Sequence, residues 1–215
     1  MSRQRVALLG VLLIAVSITL GVAVRDAVPA LDAALNDFAP LHSDTLMVLA
    51  RWISFVLSPG LATITLIGLV ARWLLAKDWL FFRAAVLLSL CWCTVLARYA
   101  YRRPRPIEYP VWAYPSGHVT AVTSVAFTAV VLCGWLARRW LRVAVALAVT
   151  AVVLVSASRV VLRMHWFTDT VGAVTAVVGA GLLAGLALGL IPLGVDSNRD
   201  RIRHLPHLRR PRRGA

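Results

Sequence analysis

Long apolar stretches separated by short polar ones dominate this chain. A window of about 20 residues, the length that crosses the hydrocarbon core of a bilayer, finds six of them. They lie near residues 6–24, 46–71, 84–101, 119–137, 143–164 and 169–191. The pattern predicts an all-α fold in which residues 1–191 form one domain, an integral membrane bundle of six transmembrane helices.

The polar segments between these stretches differ in charge. Segments 72–83 and 138–142 are short and basic, whereas segment 25–45 is longer and contains four aspartates. Segment 192–215 holds seven arginines and has no apolar periodicity, so it is predicted to be a disordered basic tail. Such a tail suits binding to the anionic lipids of the cytoplasmic leaflet.

Composition supports a location in the membrane. Of the 215 residues, 60% are hydrophobic and 15% are charged, and the mean hydropathy is +0.79. A soluble domain of this size would be less apolar. Cys91, Cys93 and Cys133 all fall within predicted spans, which argues against a disulfide framework and against a metal site.

The formal net charge of +14 would suggest a nucleic-acid partner in a soluble protein, but in a membrane protein it bears first on topology. With both termini cytoplasmic, the cytoplasmic segments hold 15 of the 23 basic residues and three of the nine acidic ones. Because basic residues are enriched in cytoplasmic loops, we expect a multi-pass protein of the cell membrane with both termini inside the cell. No nucleic-acid partner is expected.

The loop between the third and fourth spans is rich in arginine, although this topology places it on the extracytoplasmic side. Arg98 and Arg102 lie one helical turn apart, and Pro104 ends the helix soon after. Their guanidinium groups are therefore expected to converge with that of Arg105. Arginine matches the oxygens of phosphate or carboxylate, so a phosphate-bearing ligand is one explanation. Nonspecific binding of lipid head groups explains these arginines equally well.

The same loop ends in Pro115-Ser116-Gly117-His118, directly before an apolar stretch. Ser116 is a candidate helix N-cap, and the backbone N–H groups at such a helix start bind anions. Beside a phosphate bound at this helix start, His118 is well placed to donate a proton to the oxygen that leaves phosphorus. An ordinary capped turn with an interfacial histidine is the simpler interpretation of the tetrapeptide taken alone.

A third polar group begins with Ser158-Arg159 near the end of the fifth span and continues to His165 and Asp169. Because Asp169 follows His165 by four residues, its carboxylate can hold one imidazole nitrogen and leave the other as a nucleophile. Charged residues at a membrane margin are costly, which suggests a function. An ion pair between Arg159 and Asp169 would satisfy the same cost.

The three groups together resemble the type 2 phosphatidic acid phosphatase superfamily. Its pattern is Lys-x6-Arg-Pro, Pro-Ser-Gly-His and Ser-Arg-x5-His-x3-Asp. Here the motifs read Arg98-x6-Arg105-Pro106, Pro115-Ser116-Gly117-His118 and Ser158-Arg159-x5-His165-x3-Asp169. The six spans extend the resemblance to nearly the whole chain outside the tail. One departure stands out, because Arg98 occupies a position where the family usually has lysine.

The resemblance implies a role for each matching residue. Phosphate would be bound by Arg98, Arg105, Arg159, Ser116 and Gly117, with Arg102 and Ser158 as candidate accessory residues. The catalytic set would be His165, His118 and Asp169. His165 would attack phosphorus and become a transient phosphohistidine, while Asp169 orients it. His118 would protonate the leaving group and then activate water.

The same resemblance implies hydrolysis of a lipid phosphate or diphosphate. Candidate substrates are undecaprenyl diphosphate, phosphatidylglycerophosphate, phosphatidic acid and diacylglycerol pyrophosphate, and the sequence does not choose among them. Arginines would stabilise the transferred phosphoryl group in place of a metal, so no metal and no other cofactor is expected. The single lysine beside 22 arginines is typical of a GC-rich bacterial genome.

Three alternatives stay open. A lipid phosphotransferase that passes the phosphoryl group from His165 to another acceptor would need the same residues. Vanadate-dependent haloperoxidases share the anion pocket but resemble soluble enzymes, which the six spans oppose. A nonenzymatic lipid-binding membrane protein would have no reason to hold both histidines and Asp169 at this spacing. The oligomeric state is not indicated by the sequence.

Overall fold

The computed structural model describes residues 2–38 and 43–191, and the regular elements in these ranges are all helical. The α-helices are α1 (Arg3–Val24), α2 (Ala30–Phe38), α3 (Asp44–Val56), α4 (Pro59–Ala76), α5 (Trp79–Cys93), α6 (Arg98–Tyr101), α7 (Gly117–Leu136), α8 (Leu141–Val161) and α9 (Phe167–Ala187). Short 3₁₀ turns at Thr94–Ala97 and Arg138–Trp140 precede α6 and α8. The predicted basic tail, 192–215, lies outside the described residues.

Six helical stretches are long and apolar enough to cross a membrane. They are Arg3–Val24, Asp44–Ala76, Trp79–Tyr101, Gly117–Leu136, Arg138–Val161 and Phe167–Ala187. Large apolar side chains on these stretches point away from the bundle, among them Leu75 (86% exposed), Phe55 (74%) and Ile64 (71%). The predicted all-α bundle of six membrane-spanning stretches is therefore confirmed, and the chain is a multi-pass membrane protein.

The second stretch differs from the single continuous span expected near 46–71. It is divided into α3 and α4, because Leu57 leaves the helical conformation and Pro59 begins a new helix. Proline lacks the N–H that an uninterrupted helix would use, but it suits the first position of a helix. The break places Ser58 beside the cavity described below.

Local signals in the polar segments set several helix ends. The side chains of Ser2, Ser43 and Asp78 each accept a hydrogen bond from a backbone N–H in the first turn of the helix that follows. Lys77 ends α4 in the left-handed conformation, with φ of 53°. Side-chain caps of this kind satisfy backbone groups that have no partner within the helix.

Close packing of α1 on α9 joins the first span to the last. A Cβ on Gly179 would collide with the carbonyl oxygen of Gly10, so glycine is required for this approach of the two backbones. Farther along, the Ser17 hydroxyl donates to the carbonyl of Gly172 at 2.9 Å. The buried Tyr114 hydroxyl donates to the backbone carbonyl of Ser17. Tyr114 thereby ties the loop between α6 and α7 to both helices.

One end of the bundle, called the site end here, gathers α2 and two connecting segments, 102–116 and 162–166. Arg103 of the first segment contacts Asp32 of α2, and Arg105 contacts the backbone of Met164 in the second. The opposite end carries Lys77 and the 3₁₀ turn before α8. The three sequence motifs therefore meet at one end of the molecule.

Candidate functional site

The start of α7 contributes the Pro-Ser-Gly-His motif to the site end. The Ser116 N–H donates to the carbonyl oxygen of Asp169 at 3.2 Å, which joins this motif to the start of α9. Ser116 stands at the N-cap position, as expected, but its side chain makes no capping bond. Its fully buried hydroxyl has no hydrogen-bond partner among the described residues. The hydroxyl is therefore available to a ligand.

Arg98 lies across the start of α7. Its guanidinium donates to the carbonyl oxygen of Pro115 at 3.4 Å, and its Nε has no partner within the described chain. A Cβ on Gly117 would collide with this guanidinium. Glycine at position 117 is thus what lets the wide arginine fork approach the helix start.

Arg105 is held by backbone groups of two loops. Its Nε donates to the carbonyl of Val111 at 2.6 Å, and one terminal nitrogen donates to the carbonyl of Met164 at 2.9 Å. Burial lowers the pKa of Arg105, and the positive charge of Arg98 lowers it further. The two guanidinium groups therefore lie close enough to repel each other, as the sequence suggested.

Arg159, in the last turn of α8, faces α3. One terminal nitrogen donates to the Ser54 hydroxyl at 2.7 Å, and the Nε has no partner in the described ranges. Arg159 and His118 line one cavity of about 510 Å³. The other lining residues come mainly from α3 and from the segment after α8: Met47, Arg51, Ser54, Phe55, Ser58, Leu162 and Met164. The alternative ion pair between Arg159 and Asp169 is not formed.

His165 is buried, and its Nδ1 lies 3.4 Å from Oδ2 of Asp169. The two groups attract each other at this distance, but the contact does not meet the geometry of a hydrogen bond. Burial lowers the pKa of His165 to about 4, and the charges of Arg105 and Arg159 act in the same direction, while Asp169 opposes them. With this lowered pKa the imidazole favours the neutral form at pH 7, and Nδ1 faces the carboxylate while Nε2 does not.

Asp169 is fully buried and belongs to the first turn of α9. Its Oδ2 accepts a hydrogen bond from the Trp166 N–H at 2.9 Å, which caps the helix. Its Oδ1 accepts one from Arg103 at 2.6 Å. A helix-capping carboxylate is thus also the group that faces the candidate nucleophile.

Arg103, which the motifs did not single out, is the most deeply buried arginine at the site end. Only 1% of it is exposed, and it makes ion pairs with Asp32 at 2.9 Å and Asp169 at 2.6 Å. Its position follows from Arg102, which adopts a left-handed conformation with φ of 52° and turns the chain at the end of α6. In the sequence, the only signal that could have identified Arg103 was its position between a predicted helix end and Pro104.

The two candidate accessory residues do not join the site. The Arg102 side chain is exposed, and its Nε donates to the carbonyl of Tyr99 in the preceding helix, α6. The Ser158 hydroxyl is buried but donates to the carbonyl of Val155 one turn earlier. Arg51 and Ser54 line the cavity instead, and neither was expected from the sequence.

The structure brings the remaining site residues together at one end of the bundle: Arg98, Arg105, Ser116, Gly117, His118, Arg159, His165 and Asp169. In the described ranges, six buried side-chain nitrogen or oxygen atoms lack a hydrogen-bond partner, and four of them belong to this set. They are Arg98 Nε, Ser116 Oγ, Arg159 Nε and His165 Nδ1. Buried polar atoms without partners are costly, so their concentration here indicates a site built to receive a ligand.

Two histidines and three arginines lie together at one end of this membrane bundle. This combination is typical of membrane proteins that carry out phosphoryl transfer. The family model of the PAP2 superfamily matches residues 78–190, which is more than half of the chain. The chain therefore belongs to the PAP2 superfamily and is a phosphatase. The matched range contains all three motifs but not Asp32 or α3.

A solved structure supports the same fold. It is described as the first transmembrane PAP2-type phosphatidylglycerolphosphate phosphatase from Bacillus subtilis. The TM-score is 0.71 at 19% sequence identity, and the match covers 86% of this chain and 98% of that one. At this identity the likeness shows a shared fold. Comparison with curated protein sequences gave no match.

Proposed function

We propose that this phosphatase hydrolyses a lipid phosphate or diphosphate at the extracytoplasmic surface, without a metal, through a phosphohistidine formed on His165. The observation that carries the proposal is the concentration, at one end of the bundle, of buried polar atoms without hydrogen-bond partners, namely those of Arg98, Ser116, Arg159 and His165. Three arginines, Arg98, Arg105 and Arg159, form what we call the three-arginine cluster. Its charge suits the three negatively charged oxygens of a transferring phosphoryl group.

The reaction follows from the placement of the histidines. The Nε2 lone pair of His165 attacks phosphorus, an N–P bond forms, and the bond from phosphorus to the leaving oxygen breaks. His118, which lines the same cavity as Arg159, gives its proton to that leaving oxygen. In the second step His118 takes a proton from water, whose oxygen attacks phosphorus as the N–P bond breaks. The products are inorganic phosphate and the alcohol or monophosphate.

A lipid substrate suits the position of the cavity. Its wall on α3 includes Phe55, whose side chain is 74% exposed on the membrane-facing side of the bundle. The polar wall includes His118 and Arg159. A phosphorylated head group can therefore contact the polar wall while the hydrocarbon tail stays in the bilayer, which spares the cost of extracting the tail into water.

The decisive experiment is phosphate release from a panel of lipid phosphates by purified protein in detergent, with EDTA present throughout. We expect release of inorganic phosphate from at least one lipid and acid-labile labelling of the parent by ³²P-substrate, with neither in His165→Gln. Activity that requires added Mg²⁺, or phosphoenzyme that persists in His165→Gln, would contradict the proposal. Transfer of the label to an added alcohol instead of water would show that the protein is a phosphotransferase.

The division of labour between the histidines has its own test. With an aryl phosphate, whose leaving group needs little protonation, His118→Ala should still form phosphoenzyme and hydrolyse it slowly, because the attacking nitrogen remains. Rapid-quench trapping measures both steps. Phosphoenzyme located on His118 in the parent would reverse the two roles.

The orientation of the site is also testable. Single cysteines at Glu108 and Arg139, both exposed and at opposite ends of the bundle, would be introduced after replacement of the three native cysteines. An impermeant thiol reagent should label position 108 from outside intact cells and position 139 only after lysis. Labelling of position 139 alone would invert the proposed orientation.

A further inference from the structure

We infer that Asp32 and Arg103 are positioning residues for His165, an inference that rests on the proposed role of this histidine as the nucleophile. Asp32 on α2 holds Arg103, Arg103 holds Asp169, and Asp169 faces the imidazole. We call Asp32, Arg103 and Asp169 the Asp–Arg–Asp cluster. It begins 133 positions before His165 in the chain and reaches it through three charged side chains.

Burial makes this cluster rigid. The side chains of Asp32 and Asp169 are fully buried, and that of Arg103 is 1% exposed. Charges removed from water to this extent are stable only in good ion-pair geometry with additional hydrogen bonds. Arg103 has both, because one terminal nitrogen donates to Asp169 and the other to Asp32. The guanidinium therefore has a single favourable position, and this position sets the distance of Asp169 from His165.

Thr168 links the two ends of the cluster. Its hydroxyl accepts a hydrogen bond from Arg103 at 2.7 Å and donates one to Asp32. Its backbone N–H also donates to Asp32, at 3.0 Å. Asp32 thus holds the start of α9, the turn that carries Asp169, as well as the guanidinium that binds Asp169. The ring of Trp166 lies 5.5 Å from Cζ of Arg103 and covers it.

Charge gives the cluster a second effect on the reaction. Two carboxylates and one guanidinium carry a net charge of −1 next to Nδ1 of His165. When Nε2 bonds to phosphorus, positive charge develops on the imidazole, and a negative group already fixed in place stabilises it. The cluster does not line the cavity that contains His118 and Arg159. Disturbing it should therefore slow attack without weakening substrate binding.

The first test compares two aspartates of the same helix. Asp32→Asn removes the charge that holds Arg103, whereas Asp37→Asn removes an exposed charge that makes no ion pair in the described part of the chain. For Asp32→Asn we expect kcat to fall by about 10-fold to 100-fold, with KM changed by less than about twofold. Asp37→Asn should leave both unchanged. Unchanged kcat in folded Asp32→Asn would overturn the inference.

A purely structural role for Asp32 predicts something different, which a double-mutant cycle detects. If Asp32 acts through Asp169, the rate of phosphoenzyme formation in Asp169→Asn should drop little further when Asp32→Asn is added. Additive losses would mean that Asp32 only supports the fold. Should Asp32→Asn not fold, Thr168→Val removes only the hydroxyl that joins the cluster. A kcat loss of about threefold to tenfold would then support the inference, and an unchanged kcat would contradict it.

A spectroscopic measurement separates this inference from the proposed function. In protein labelled with ¹⁵N-histidine, the His165 signals are identified by their loss in His165→Gln. Asp32→Asn should shift the Nδ1 signal of His165, and Asp37→Asn should not. If the parent hydrolysed no phosphate but its Nδ1 signal responded to Asp32→Asn, the proposed function would fail and the positioning contact would stand. If the parent were active but its Nδ1 signal did not respond to Asp32→Asn, the proposed function would stand and the positioning contact would fail.

Discussion

Two groups of arginines lie next to each other at the site end, and the protein neutralises them differently. The three-arginine cluster has no carboxylate within ion-pair distance in the described ranges, and its side chains donate to backbone carbonyls and to one serine. Arg103, by contrast, has two carboxylates. Arg159 and Arg103 are both buried, and Arg98 and Arg105 are half-buried, so the absence of carboxylates around the three-arginine cluster is not explained by full exposure to water.

The difference between the paired and unpaired arginines bears on where a negatively charged ligand would bind. Positive charge that supports the protein's own structure is paired internally, as at Arg103. Positive charge left without a carboxylate is costly until an anion binds, so in the proposed function the three-arginine cluster is the side that receives the phosphate. Both groups change the pKa of His165. Asp169 raises this pKa, whereas Arg105 and Arg159 lower it.

Removal of a cation from the three-arginine cluster should have the largest effect on activity. Arg159→Met should lower kcat/KM by about 1,000-fold or more, since an arginine that stabilises a transferring phosphoryl group contributes on this scale. Its free energy of unfolding should be equal or higher, because like charges no longer repel. Aryl phosphate hydrolysis and thermal unfolding in detergent measure the two quantities. If Arg159→Met were strongly destabilised, the three-arginine cluster would support the fold in the same way as Arg103, and the contrast between the two groups would be lost.

The opposite result is expected at Arg103. Arg103→Met leaves two buried carboxylates without their partner, which should lower the free energy of unfolding by about 3–5 kcal/mol. The adjacent Arg102→Met is a matched control, because Arg102 is exposed and should change stability by less than about 0.5 kcal/mol. Denaturation of both variants in detergent decides the question, and equal stability of the two would show that Arg103 is not essential to the fold.

The pKa of His165 predicts a pH dependence of stability. Above pH 6.5 the imidazole is neutral in both folded and unfolded chains and contributes nothing. As the pH falls from 6.5 to about 4, only the unfolded chain takes up the proton, so the parent should lose up to about 3 kcal/mol relative to His165→Gln. Unfolding measured across this pH range provides the comparison. Parallel curves for the two proteins would mean that the pKa of His165 is not lowered.

The smallest effect is expected at Arg51, the exposed cation on the α3 wall of the cavity. Because exposed ion pairs are weak, Arg51→Gln should raise KM by about threefold for a diphosphate substrate while kcat stays unchanged. Arg142→Gln, at the opposite end of the bundle, is the control. A large fall in kcat would instead place Arg51 with the three-arginine cluster.

The six spans were predictable because each carries enough apolar residues to cross a membrane. The break at Ser58-Pro59 was not predicted, since the residues on both sides are apolar and a hydropathy window averages across them. The residues of the three motifs were predictable because both their types and their spacing match a family pattern. Their convergence at one end of the bundle is a property of the fold, in which α7 packs against both α8 and α9.

The sequence pattern did not identify which of the adjacent residues Arg102 and Arg103 is buried at the site end. Helical spacing from Arg98 favoured Arg102, but the helix ends at that residue, and its left-handed backbone turns the next side chain inward. Asp32 was equally hidden, because segment 25–45 contains four aspartates with nothing in their spacing to separate one from the others. The structure separates them by burial, since Asp32 is 1% exposed.

The sequence by itself determined that the chain is a helical membrane protein and which residues form the phosphatase motifs, because hydropathy and motif spacing are properties of consecutive residues. Only the tertiary structure decided which charges are paired. The energy of a buried charge depends on its distance from other charges and on the water excluded around it, and for Asp32, Arg103 and Asp169 these distances join segments far apart in the chain. No local pattern records such distances, so the division between paired and unpaired arginines became visible only in the fold.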